Sequence, residues 1–301
     1  MAQLTFDSLY HINAAGCTPS SLYTAVANKM LFSKPSKALI RCDISLDAPY
    51  IFVEIEELAQ LDRATRCILM LSHLLEQIDI ATLRQTERIS QMLFLLPVDE
   101  LAQPVIADEI LNELLNEYIL EQIPAYTQMA YCDLTQLSND TLVIAVDSCV
   151  SYQFVSEQAK HTTVQVLNGP PGVINGEGGY ALLVHPQGSL NAHIYEGALC
   201  TQLTQANCTS QDSYIFAGDQ SLAWQKKWYA NTQKLYQQGQ PLIDSAELVT
   251  TLGFQGTANI LAALTLAQSY LCNPLTRSLE QVFAIFNAPN EQLVKISRSE
   301  N

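Results

Sequence analysis

The chain has 301 residues, of which 48% are hydrophobic and 15% are charged. This length and composition are typical of a globular protein with one large domain or two ordinary ones. The net charge of −15 argues against nucleic acid and anionic membrane as partners, because both would need a basic face.

The eight cysteines are scattered along the chain and form no Cys-x-x-Cys pair. This spacing favours reduced, buried thiols over a disulfide framework or a zinc site. The N-terminus lacks the basic and apolar regions of a signal peptide, and no apolar run reaches the roughly 18 residues of a membrane span. We therefore expect a cytoplasmic protein that binds neither metal nor cofactor.

The N-terminal region is predicted to begin with a strand over residues 8–18 that ends in a turn of small residues. A helix is predicted over 19–29, because a proline opens it and Ser20 or Ser21 can cap it. A second extended stretch is expected at 38–43.

Apolar residues at helical spacing predict an amphipathic helix over 62–78. Asp62 is suited to be its N-cap. Arg63 and Arg66 are expected on its outer face, since an amphipathic helix turns its charged side chains to solvent.

The next segments are predicted to be a short apolar strand over 91–97 and an amphipathic helix over 107–119 with acidic residues in its first turn. The following segment, 141–184, is expected to be mostly extended. Within it, Gly169-Pro170-Pro171-Gly172 must form a turn, because neither a helix nor a strand interior accommodates this sequence.

The remainder of the chain is predicted to continue the alternation of strands and helices. This alternation favours mainly parallel sheets with helices on both faces. The predicted elements are strands over 195–202 and 213–217, helices over 222–236 and 256–271, and a hairpin of strands 281–286 and 292–296 around Asn287-Ala288-Pro289-Asn290.

Two neighbouring motifs combine polar turn residues with short apolar strands. One is Asn175-Gly176-Glu177-Gly178-Gly179, whose glycines permit close backbone approaches and which leads into the apolar residues 180–184. The other is an apolar strand over 142–146 that ends in Asp147-Ser148. Together they resemble the late N-terminal half of β-ketoacyl synthases of the thiolase superfamily, in which a Gly-Val-Asp-Ser or Gly-Gly-Ala-Glu type turn precedes a Gly-Glu-Gly-Ala strand.

The resemblance implies an α/β protein with a shortened thiolase-like layered fold (αβαβα). Its two related βα halves would be residues 1–190 and 191–301, packed as one compact unit. Members of this family pair through the sheet edge of the first half. The resemblance thus implies a homodimer, or a heterodimer with a ketosynthase-like subunit.

Ketosynthase chemistry needs a thiolate at a helix N-terminus, imidazoles beside it and backbone N–H groups for the thioester oxyanion. The resemblance places the nucleophile near residues 112–117, which contain no thiol and carry carboxylates that would raise a thiol pKa. The other candidates are Cys132, ahead of a loop, and Cys149, after a strand. Both are more typical of buried thiols than of nucleophiles.

The two family histidine motifs also have counterparts without imidazoles. The first is Ala217-Gly218-Asp219-Gln220-Ser221, which keeps small residues and an acid. In the second, residues 252–259, Gly256 is retained while Gly253 occupies the histidine position. We therefore expect the geometry of these turns to be kept without the condensing chemistry.

Other chemistries find little support in the sequence. The five histidines have no carboxylates at metal-ligand spacing, Gly-x-Ser-x-Gly is absent, and the glycine run lacks the lysine of a phosphate loop. Asp147 and Glu177 could be paired catalytic carboxylates. A role as turn residues that accept backbone N–H bonds is the stronger interpretation.

Three functions remain open. The first is a non-condensing partner or scaffold subunit of a fatty-acid-like or polyketide-like pathway. The second is an acyltransferase or thioesterase type of enzyme that uses Cys132 or Cys149, and the third is a module that binds an acyl ligand. An acyl carrier protein is a further expected partner, although both it and this chain are acidic, and the one adjacent basic pair, Lys226-Lys227, is more typical of a solvated helix face.

Overall fold

The structure is a computed structural model that describes residues 2–41, 47–80, 83, 89–118, 125–208, 212–218, 221–237, 245–276, 279–287 and 291–299. The strands of this part are β1 (Ala2–Asn13), β2 (Lys34–Arg41), β3 (Ala48–Val53), β4 (Gln91–Leu95), β5 (Ala125–Met129), β6 (Thr141–Ser148), β7 (Asn175–Val184), β8 (Leu190–Tyr195), β9 (Ser213–Phe216), β10 (Ser245–Glu247), β11 (Gln281–Phe286) and β12 (Gln292–Arg298). The α-helices are α1 (Pro19–Ala27), α2 (Arg63–Gln77), α3 (Asp108–Tyr118), α4 (Tyr152–Gln158), α5 (Leu199–Gln205), α6 (Leu222–Gln237), α7 (Leu248–Leu252) and α8 (Asn259–Cys272).

The strand order repeats between the two halves of the chain. Ten strands follow the order β10-β9-β11-β12-β8-β1-β7-β6-β4-β5, and β2 and β3 attach to β7. These ten strands form two sets of five, β1 with β4–β7 and β8–β12. Numbered in chain order within its set, each set has the spatial order third, second, fourth, fifth, first. The fifth strand of each set is antiparallel to both of its neighbours. The first strands of the two sets, β1 and β8, pair with each other. This repeat supports the two-half division at residues 190 and 191, which remains a prediction.

Side chains on alternate faces of the strands define five layers. Along β6, Val143 and Ala145 belong to a central core with α8, while Leu142, Ile144 and Val146 belong to a second core with α2 and α3. Along β11 the same alternation separates the central core from a third core beneath α5 and α6. Successive residues of a strand point to opposite faces, so each of these two strands has a helix-covered core on either side. The layers are therefore α2 and α3, the β6 region of the sheet, the central α8, the β11 region, and α5 and α6. The predicted αβαβα fold is thus confirmed.

Several predicted boundaries are wrong in detail. Residues 195–202 are not a strand, since β8 ends at Tyr195 and α5 follows, with the buried Leu199 and Leu203 at helical spacing. The cap of α1 is Thr18, whose hydroxyl accepts the Ser21 N–H at 3.2 Å. Ser21 instead closes the reciprocal half of a capping box.

Other elements are shifted by a few residues. β1 occupies residues 2–13 rather than 8–18, β2 occupies 34–41 rather than 38–43, and α8 begins at residue 259 after a 3₁₀ turn at 256–258. β11 and β12 form the predicted antiparallel hairpin, and its turn residues 288–290 lie outside the described residues. Across the described ranges, no helix combines the length and the apolar character that crossing a membrane would require.

His11 lies within β1 and is buried. Its ring stacks on that of Tyr180 across the strand pair, with 6.1 Å between centroids. Nε2 of His11 is buried and has no hydrogen-bond partner among the described residues. Burial lowers the pKa of His11 from 6.5 to about 4, against a contact with the Thr18 backbone that raises it.

We predict that acid destabilises the protein through His11. In the unfolded chain the ring takes up a proton as the pH falls below 6.5, whereas the folded protein resists protonation down to about pH 4. The stability linked to His11 is therefore intact above pH 6.5 and is lost as the pH falls towards 4, by about 3 kcal/mol in total.

Urea denaturation at neutral pH and at about pH 4.5 measures this loss. His11→Phe keeps a stacking ring without a titratable group, so its unfolding free energy should fall less than that of the wild type. His193→Asn, on the neighbouring strand β8, is the control and should behave as the wild type does. Equal losses in His11→Phe and wild type would contradict the prediction.

Candidate functional site

The ends of strands from both halves surround a cavity of about 290 Å³, named here the strand-end cavity. Ligands of α/β proteins bind outside the carboxyl ends of the strands, which makes this cavity the candidate site. Its wall includes residues that follow β4, β5 and β9 within three positions, residues at the ends of β6 and β11, and the start of α8. In this order they are Val98, Tyr131, Ala217, Asp147, Phe286 and Asn259.

An ion pair closes one side of the strand-end cavity. Arg63 Nη2 donates to Asp147 Oδ1 at 2.8 Å, and the guanidinium lies 4.7 Å from the ring centroid of Phe154. The second oxygen of Asp147 accepts the Thr257 N–H at 3.0 Å. The charge and both oxygens of Asp147 are therefore already engaged, and this carboxylate holds strand β6 to the turn before α8.

A second ion pair is buried behind the first. Nη1 of Arg66 donates to both carboxylate oxygens of Glu177 at 3.0 Å. Glu177 also accepts the Ile55 N–H at 2.7 Å and the Ser148 hydroxyl at 2.8 Å. Burial raises the pKa of the Glu177 carboxyl, and the contacts with Arg66, Ser148 and Ile55 act against that rise.

The expected outward orientation of the two arginines is wrong. The side chain of Arg66 is 4% exposed and that of Arg63 is 10% exposed. Both lie at the start of α2, and the predicted cap Asp62 accepts the Thr65 N–H at 3.0 Å. The helical periodicity alone predicted that both arginines face solvent. They turn inward because two buried carboxylates, Asp147 and Glu177, require cationic partners.

Glycines bring the two halves into backbone contact beside these ion pairs. The Gly176 N–H donates to Phe254 O at 2.9 Å, and the Phe254 N–H donates to Ile174 O at 2.7 Å. A Cβ on Gly176 would lie 2.0 Å from Leu252 O, and Gly253 has a φ of +73°. Only glycine fits at both positions.

Two further glycines of the predicted motifs lie against side chains. A Cβ on Gly256 would lie 2.0 Å from Asp147 Oδ2, and Gly256 has a φ of +52°. A Cβ on Gly178 would lie 3.0 Å from the amide oxygen of Gln255. Gln255 in turn donates to Glu177 O at 3.0 Å, so this glycine allows the turn before α8 to hydrogen-bond to β7.

The turns that correspond to the histidine motifs carry other side chains into the cavity. Ala217 lines its wall, and a Cβ on the adjacent Gly218 would lie 2.5 Å from Trp224 Nε1. Asp219 lies outside the described residues. A Cβ on Gly253 would lie 2.6 Å from Gly176 N, so no histidine could occupy that position. The neighbouring Phe254 lines the cavity instead, as do Thr257 and Asn259 of the same segment.

The two candidate cysteines are buried thiols. Cys149 is 0% exposed, and burial together with the charge of Asp147 raises its pKa well above the ordinary value. Burial, with a smaller effect of Asp133, raises the pKa of Cys132 to about 12. Between β5 and β6 the chain forms only a 3₁₀ turn, Leu134–Gln136, so Cys132 lacks the helix N-terminus that would stabilise a thiolate.

Cys132 borders an adjoining cavity rather than the strand-end cavity. This second cavity has a volume of about 730 Å³ and shares Tyr131, Ile260 and Asn287 with the first. The acids Asp133, Glu196 and Glu291 also line it. Within the described ranges, no three His, Cys, Asp or Glu side chains are grouped closely enough to hold a metal ion.

No family model and no curated protein matches the chain. Solved structures match it in fold. The ishigamide ketosynthase/chain length factor has a TM-score of 0.61 at 12% identity over 99% of this chain and 100% of that one. The ketosynthase from module 6 of the bacillaene synthase from Bacillus subtilis 168 has a TM-score of 0.63 at 8% identity, over 100% of this chain and 72% of that one.

A third structure is a type II polyketide synthase ketosynthase in complex with its acyl-carrier protein (AntDE:AntF). Its TM-score is 0.57 at 11% identity, over 99% of both chains. The chain therefore has a ketosynthase-type, thiolase-like fold. The resemblance drawn from the Asp147-Ser148 and Gly176-Glu177-Gly178-Gly179 motifs is confirmed at the level of fold.

We predict that the buried Arg66–Glu177 pair contributes much more stability than its exposed extension. Glu177→Gln leaves the Arg66 charge buried without its main partner, which should cost about 3–5 kcal/mol of unfolding free energy. Glu54 accepts from Arg66 Nη2 at 3.2 Å but is 31% exposed, so the matched control Glu54→Gln should cost at most about 1 kcal/mol. Urea denaturation measures both, and equal costs would contradict the prediction.

Proposed function

We propose that the protein is a non-condensing ketosynthase-like subunit, acting as a partner or scaffold in a fatty-acid-like or polyketide-like pathway. One observation carries the proposal. The strand-end cavity occupies the catalytic position of an α/β fold, yet none of its described lining residues is a cysteine or a histidine. Its one carboxylate, Asp147, is paired with Arg63 and hydrogen-bonded to Thr257.

All five histidines lie in the described part of the chain, and each is accounted for elsewhere. His185 pairs with Asp7 at 2.7 Å, His73 contacts the Tyr10 hydroxyl at 3.3 Å and His161 contacts Glu157 at 3.3 Å. His11 and His193 lie within β1 and β8. The polarising imidazoles that condensation requires thus have no candidate at the cavity.

The alternative of a relocated cysteine nucleophile can be tested by thiol labelling. We predict that a thiol-directed acyl analogue modifies the exposed Cys17 and Cys272 under native conditions and leaves Cys132 and Cys149 unmodified. Cys149 is fully buried, and burial keeps both thiols protonated even though Cys132 borders the adjoining cavity. Peptide mass spectrometry gives the sites.

Labelling in denaturant is the control, and there all four thiols should react. Native modification of Cys132 or Cys149 faster than that of Cys17 would favour an acyltransferase or thioesterase type of enzyme. Turnover of a malonyl or acyl thioester by the wild type, lost in Cys132→Ala, would also overturn the non-condensing proposal.

The partner is expected at β5, the outer strand of the first set. β5 pairs with β4 on one side and with no other described strand. Since no described strand covers its outer edge, the N–H and C=O groups there are suited to pair with a second chain. Gln128 of β5 adds a buried side-chain oxygen without a hydrogen-bond partner among the described residues.

We propose a homodimer, or a heterodimer with a ketosynthase-like chain, that joins through this edge. Successive N–H groups of a strand point to opposite edges, so Thr127→Pro and Gln128→Pro act differently. One variant should remain folded and become monomeric, while the other loses a bond to β4 and becomes less stable. Light scattering after size exclusion, with thermal melting, distinguishes them.

Co-expression with ketosynthases from the source extends this test to a heterodimer. A wild type that remains monomeric alone and with every such chain would contradict the proposed subunit role. If both proline variants dimerise as the wild type does, the interface lies at another surface.

An acyl carrier protein is a further proposed partner, supported by the solved neighbour that contains one. This chain is acidic, so a carrier would be repelled least by a segment without acids. Residues 8–42 contain no Asp or Glu, and the basic residues of this segment are Lys29, Lys34, Lys37 and Arg41.

A further inference from the structure

Asn259 lines the strand-end cavity and has a buried hydrogen-bond acceptor without a partner among the described residues. It is the first residue of α8 and is 5% exposed. Its Nδ2 donates to Ala217 O, which fixes the amide orientation, because a flipped amide would place two oxygens together. Oδ1 is buried and has no partner among the described residues.

The surrounding wall is apolar and carries no net charge. Phe254, Ile260 and Phe286 are among its apolar lining residues. The charged groups in the wall, Arg63 and Asp147, neutralise each other at 2.8 Å. A charged ligand would be desolvated there without an unpaired counter-charge, so the cavity favours a neutral one.

We propose that the strand-end cavity binds a small, neutral, apolar molecule that donates one hydrogen bond, from a hydroxyl or an amide N–H, to Asn259 Oδ1. The volume of about 290 Å³ admits roughly ten non-hydrogen atoms. The apolar part supplies affinity through burial, and the donor supplies selectivity, since ligand pockets combine apolar walls with a few placed polar groups.

The test compares ligands of equal size with and without a donor. Hexanol is matched with pentyl methyl ether, and hexanamide with methyl pentanoate. We expect each donor to bind the wild type about tenfold more tightly than its donor-free match, the effect of one buried hydrogen bond. Ligand-observed NMR or calorimetry measures this on the purified chain, without any partner or enzymatic readout.

Variants then test whether Asn259 causes the difference in affinity between donor and donor-free ligands. Asn259→Leu should abolish the difference within each pair. Asn231→Leu removes another buried asparagine, which donates to Lys227 O at 2.9 Å on α6 and does not line the cavity, and it should keep the difference. Ile260→Phe fills the cavity and should weaken the binding of all four ligands.

The comparison in the wild type decides even if Asn259→Leu fails to fold. Equal affinities within each pair, or no binding of any of the four probes, would overturn the proposal. So would retained selectivity in a folded Asn259→Leu variant.

Discussion

Two backbone segments, one from each half of the repeated topology, lie too close together for any side chain to separate them. Gly176 at the start of β7 and Gly253 after α7 meet in this way, and hydrogen bonds with Phe254 join the segments. This contact fixes the turn that precedes α8 against the end of β6. The positions of Asp147, Thr257 and the strand-end cavity all follow from it.

Two buried carboxylates beside this contact join further parts of the chain. Glu177 accepts from Arg66, Ser148 and Ile55, and Asp147 accepts from Arg63 and Thr257, so each acid holds elements that are distant in sequence. The carboxylate oxygens of both acids are thus engaged in hydrogen bonds that stabilise the fold. A cavity beside such satisfied charges is suited to binding a neutral ligand rather than to moving protons.

The sequence predicted the architecture better than the site. Glycine spacing and apolar strands carry the fold, and the roles of Asp147 and Glu177 as acceptors of backbone N–H groups agree with their contacts. The periodicity of α2 could not show that Arg66 turns inward, because its partner Glu177 lies 111 residues away. The role of Asn259 could not be predicted for a related reason. Its oxygen is buried without a partner only because residues distant in sequence surround it.

The central position of β1 also shapes how the chain can fold. β1 covers residues 2–13, yet Phe6 pairs with Val184 of β7 and with Leu190 of β8. During synthesis, β1 emerges well before residues 175–195, and until then neither of its neighbours exists. Such non-local pairing slows folding and leaves an apolar strand exposed in partly made chains. A truncated chain that ends before β7 would leave β1 without either neighbour, and we expect such a chain to aggregate.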